Sequence, residues 1–104
     1  MSAYSIVTTT VDSEAAADAI IGRVLDEKLA ACVQAFPVTS HYVWQGERRR
    51  EVEILLQMKV KTSDWDALCA AIRQDHPYDT PEIVRVAIEA GDAGYLAWIS
   101  EVTR

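Results

Sequence analysis

Residues 38–61, VTSHYVWQGERRREVEILLQMKVK, hold the pattern that decides the fold. From Glu51 to Lys61 the chain alternates. Val52, Ile54, Leu56, Met58 and Val60 point to one side, while Glu51, Glu53, Gln57, Lys59 and Lys61 point to the other, with Leu55 the exception. Such a period of two marks a strand with one face on a core. Val38–Trp44 reads as a second strand, and Gln45-Gly46 as a two-residue turn that folds one onto the other. That turn fixes the register: Trp44 falls opposite Glu47, Tyr42 opposite Arg49 and Val38 opposite Glu53. Tyr42 and Trp44 therefore share a side with Glu53 and Lys59. Upstream, Ala30–Phe36 extends the strand beyond Pro37, which cannot donate to a ladder and predicts a bulge or an edge position. With the register unshifted, Cys32 pairs with Lys59 on the same side; a one-residue bulge would turn Cys32 into the core.

The flanks complete a unit. Tyr4–Thr10 (YSIVTTT) is rich in β-branched residues and reads as a strand. Asp12 or Ser13 caps a helix whose apolar stripe is Ala17, Ile20, Ile21, Val24 and Leu25. After the hairpin, Ser63 is expected to cap a second helix from Asp64 to about Asp75, with Cys69 on its apolar stripe beside Trp65, Leu68 and Ile72. Pro77 stops it. Ile83–Glu89 reads as the last strand and Ala93–Val102 as a closing helix. The order β-α-β-β-α-β plus a helix, with right-handed crossovers, puts both long helices on one face of a four-stranded sheet. This is an α+β, ferredoxin-like sandwich with an extended hairpin and a C-terminal helix, one domain over residues 1–104. Aromatic residues among pairable charges on the opposite, helix-free face predict an interface between subunits.

Ten basic against sixteen acidic residues give a net charge of −6, which works against nucleic acid and anionic membrane partners and mildly favours cations. The run Arg48-Arg49-Arg50 is flanked by Glu47, Glu51 and Glu53, as in a solvated, ion-paired hairpin. No apolar run reaches the ~20 residues of a membrane helix. Met1 to Thr10 shows no basic segment followed by an apolar one, so a cytoplasmic location is expected. Cys32 and Cys69, far apart and without CxxC spacing, are expected to be free thiols.

Several segments resemble the CutA family of divalent-cation-tolerance proteins. They are Leu29-Ala30-Ala31-Cys32-Val33; Tyr42-x-Trp44-x-Gly46 with Glu53 and Lys59; His76-Pro77-Tyr78-Asp79-Thr80-Pro81-Glu82-Ile83; and Ile88-Glu89 followed by Tyr95-Leu96-x-Trp98-Ile99. The resemblance spans essentially the whole chain. It implies a homotrimer in which long hairpins pair between subunits, similar in architecture to the PII signalling proteins, which bind small effectors in clefts between subunits. It also implies a link to metal tolerance, with copper binding in the family and no established catalysis. Some relatives have a Cys in the first strand and a second His before His-Pro-Tyr; Thr9 and Asp75 stand there in this chain. Of such a copper-binding set only His76 is kept.

Two functions follow. In the first, the protein is a trimeric metal-binding protein that coordinates Cu²⁺ or another divalent cation, with His76 and Asp75 as candidate ligands, since transition metals favour imidazole. In the second, it is a PII-like small-molecule sensor or partner scaffold. Its intersubunit cleft would then draw on Cys32, Tyr42, Trp44, Glu53, Lys59, Tyr78 and Glu82. Nothing arranges a nucleophile, a base and an orienting group in sequence, so no enzyme is expected.

Overall fold

The computed structural model describes residues 2–104; Met1 lies outside the described residues. Strand β1 (Tyr4–Val11) leads into α1 (Glu14–Asp26), followed by β2 (Cys32–Trp44) and β3 (Glu47–Lys61). A 3-10 turn (Thr62–Asp64) then precedes α2 (Trp65–Asp75), β4 (Val84–Ala87) and α3 (Ala93–Val102). The strands form one antiparallel sheet in the order β2-β3-β1-β4. Each βαβ crossover thus skips one strand, which gives the expected ferredoxin-like arrangement.

The core lies between the sheet and the helix pair. Val7 and Val11 of β1 and Leu56, Met58 and Val60 of β3 meet Ala17, Ile20 and Val24 of α1 and Leu68, Ala71 and Ile72 of α2. Leu25, placed on the α1 stripe by its spacing, is instead exposed in the last turn of that helix. Ser13 caps α1: its backbone is extended and its Oγ accepts from the Ala16 N–H at 3.1 Å. Ser63 does not cap α2. The chain leaves β3 through the 3-10 turn, so Ser63 falls before the N-cap position. Asp64 stands there instead and makes no side-chain cap bond; its Oδ1 accepts from Arg104 Nε at 3.2 Å.

Gln45 and Gly46 both take positive φ, 51° and 78°, as a type I′ turn requires. The register runs from Trp44↔Glu47 to Cys32↔Lys59 without a shift. No bulge interrupts it at Pro37, which pairs with Ile54. The reason lies in the turn. It makes Trp44 and Glu47 a hydrogen-bonded pair, and such pairs alternate along an antiparallel ladder. Even-numbered residues of β2 therefore bond to β3, and odd-numbered ones, Pro37 among them, face away. β2 is an edge strand, so the missing N–H points off the sheet.

Two features set up the site. The hairpin outruns its own core: residues 41–52 are all exposed, and the molecule measures 44 × 26 × 22 Å. The face opposite α1 and α2 is not wholly free of helices either. There α3 leans on one end of it, where Tyr4 Oη meets Ser100 Oγ at 2.6 Å and Tyr95 sits beside Cys32. The last strand is shorter than Ile83–Glu89, because β1 pairs with it only over Val84–Ala87.

Candidate functional site: a groove at the root of the hairpin

A groove of about 620 Å³ opens on the outward face where the hairpin leaves the body. Strand alternation builds one wall. Tyr42 and Trp44 of β2 pair with Arg49 and Glu47 of β3, so Tyr42, Trp44, Arg49, Glu51 and Glu53 fall on a single side. The other wall is the link from α2 to β4, which contributes Tyr78, Asp79, Thr80 and Glu82. Pro77 and Pro81 hold this link out of both helix and sheet. It crosses the end of the sheet, from His76 under the helices to Glu82 on the outward face, where Glu82 accepts from Thr8 Oγ1 at 3.0 Å.

Glu53 is the buried charge of the groove, only 7% exposed. The Tyr78 hydroxyl donates to its Oε2 at 2.6 Å, and its Oε1 has no hydrogen-bond partner among the described residues. Burial first, and the Glu53 carboxylate second, push the Tyr78 phenol far above its ordinary range, so it stays a donor. The Tyr42 phenol is also raised, chiefly by hydrogen bonding to the neighbouring Glu51. Arg49 turns toward Glu47 of the hairpin tip, 3.6 Å away.

His76 lies behind Tyr78, with ring centroids 5.0 Å apart. The Tyr78 N–H donates to His76 Nδ1 at 3.1 Å, so that nitrogen carries no proton. In the neutral ring the proton is then on Nε2, which lies 2.9 Å from Thr9 Oγ1; the hydrogen-bond network assigns this tautomer. Burial pushes the imidazole pKa down and favours the neutral ring. Asp75 faces elsewhere. Its Oδ2 accepts from Arg23 Nε at 2.6 Å, which ties α2 to α1 and holds the carboxyl below its usual range.

The structure thus gathers Tyr42, Trp44, Glu53, Tyr78 and Glu82 of the expected set into one groove, with His76 behind it. Cys32 and Lys59 are paired as the register required, but at the far end of the hairpin from the groove. There Lys59 Nζ donates to Gln34 Oε1 at 2.8 Å, and Cys32 adjoins Tyr95, whose phenol is raised mainly by burial. Arg49, Glu51 and Thr10 were missed as lining residues. Parity with Tyr42 could have found the first two; Thr10 needed the path of the link. Among the described residues, no three His, Cys, Asp or Glu side chains converge as a metal site would require.

These features define an α+β sandwich that carries an acidic, aromatic-walled groove beneath a projecting hairpin. A family profile described as "CutA1 divalent ion tolerance protein" matches residues 5–102. The divalent-cation tolerance protein CutA of Yersinia pestis (strain Pestoides F) is 42% identical over 96 residues, covering 91% of this chain and 81% of that protein. The divalent cation tolerance protein Cut A1 of Thermus thermophilus superposes with a TM-score of 0.93 at 40% identity, covering 97% of this chain and 99% of the other. CutA1 of Oryza sativa gives the same TM-score at 36% identity, covering 97% and 94%. The chain belongs to the CutA family of divalent-cation tolerance proteins.

Proposed function

We propose that this protein works in the response to divalent metal ions as a homotrimer that binds Cu²⁺ or another divalent cation. The family match over nearly the whole chain carries the metal role. Assembly rests on a separate observation. The outward sheet face presents Ile6, Phe36, Leu55, Val84 and Val86, and the hairpin leaves Val43 69% and Val52 68% exposed. Apolar surface on both sides of an unsupported arm is surface for other subunits to cover. The two free cysteines suit a reducing compartment such as the cytoplasm.

Within one subunit the side chains do not make a complete copper site. His76 has both nitrogens engaged and Asp75 is paired with Arg23, so a full set of donors would come from more than one subunit. Isothermal titration of the full chain with CuCl₂ tests this: saturable binding supports the metal role, and its loss in His76→Ala would make His76 a ligand. An unchanged isotherm in that variant would remove His76, and no binding at all would remove the metal-binding reading.

A second reading has its own support. The groove is large enough for a small organic molecule, and its aromatic walls serve such a ligand better than a hydrated ion. In this reading the protein is a small-molecule sensor in the manner of the PII proteins, and its groove is completed by a neighbouring subunit. Retention of a small molecule in native mass spectrometry would support it.

A further inference from the structure

We propose that the groove at the hairpin root recognises a small organic ammonium ion, held by cation–π contacts from Trp44 and Tyr42 and by the buried carboxylate of Glu53. The proposal rests on the small-molecule reading above and names the class of ligand.

Charge selects the sign. Four carboxylates, from Glu51, Glu53, Asp79 and Glu82, line the groove against the single guanidinium of Arg49, which is drawn toward Glu47. An anionic ligand would meet a repulsive field here.

Glu53 selects a charged ligand over a neutral one. It is 93% buried, taking its 7% exposure, and has one oxygen held by Tyr78. The second oxygen has no protein donor among the described residues. That oxygen is not sealed from solvent, so water meets it in the empty groove and a cation entering the groove can take the water's place as its partner.

The walls select an organic ion over a metal. Calcium or magnesium needs six or more oxygens at short range, and no three candidate ligands converge among the described residues. Two exposed aromatic side chains, by contrast, suit the diffuse charge and apolar surface of an alkylated ammonium group.

The full chain is titrated calorimetrically with choline and, separately, with 3,3-dimethylbutan-1-ol, which has the same shape without the charge. Choline should bind saturably, and tighter than its neutral isostere by on the order of tenfold, the size of one well-formed cation–π contact. Glu53→Gln and Trp44→Ala should each weaken choline by a similar factor while the far-UV circular dichroism stays unchanged. Trp44 lies outside the subunit's buried core, so its variant, with its assembly checked by sedimentation, tests the proposal even if Glu53→Gln disturbs folding. Equal binding of the two isosteres, or choline binding untouched by both substitutions, would overturn the cation assignment and leave the small-molecule reading standing. If neither choline nor its isostere binds, the ammonium proposal falls, while the small-molecule reading is decided separately by native mass spectrometry.

Discussion

Alternation marks Glu53 as an outward residue of β3, yet it is almost fully buried because Tyr78 folds over it from a link far along the chain. Pairing these two joins the hairpin root to the α2–β4 link. Tyr78→Phe removes the donor and leaves the carboxylate buried, so it should lower stability by about 1–3 kcal/mol in urea unfolding; a change near zero would mean that solvent already satisfies Glu53. His76 gives a pH signature. Its folded pKa lies below the ordinary 6.5, so as pH falls the unfolded chain takes up the proton first. The stability this group contributes is complete above that ordinary value and is lost as pH falls from 6.5 through the folded pKa. Urea midpoints measured from about pH 7.5 to about pH 5 should therefore drop in the wild type and drop less in His76→Gln. Asp75 acts in a separate window. Its pKa is depressed by Arg23, so the stability it contributes is lost only as pH falls below the ordinary 3.8.

Among the elements, the hairpin was the most legible. A Gln-Gly turn and clean alternation determine a register in which every side chain's face follows from one pairing, and the register holds as far as Cys32↔Lys59. Pro37 left a bulge or an edge position open, and the edge position is the one observed, since the turn's bonding phase points its ring nitrogen off the sheet. Helix starts were half legible. Ser13 and Ser63 look alike in sequence, but a 3-10 turn moves Ser63 off the N-cap, a shift set by how β3 enters α2 and by no local residue preference. Ser13→Ala should accordingly cost about 1 kcal/mol, and Ser63→Ala no more than about 0.5. Chemical denaturation of the two variants distinguishes them; equal losses would mean that Ser63 caps after all. The groove was legible on its strand wall, where parity groups Tyr42, Trp44 and Glu53. It was not legible on the other wall, because the path of residues 76–83 across the sheet end depends on tertiary contacts such as those of His76 with Thr9 and of Glu82 with Thr8.

For the whole molecule, the sheet has one face under α1 and α2 and the other only partly covered by α3. That second face carries Phe36, Leu55 and Val86, and its continuation is an arm with no core of its own. In the proposed trimer these apolar residues are covered by other copies, and the free edge of β2 gains a partner at the same time. Replacing Phe36 with Asp, on the edge strand of that face, should disrupt association without unfolding the subunit, because Phe36 lies outside the buried core. Assembly is tested most directly by the mass of the 104-residue chain in sedimentation equilibrium at micromolar concentration. A single species of three times the 11.6 kDa chain is expected, shifted toward one chain mass by Phe36→Asp. A wild-type protein that sediments as a stable, folded monomer would contradict it.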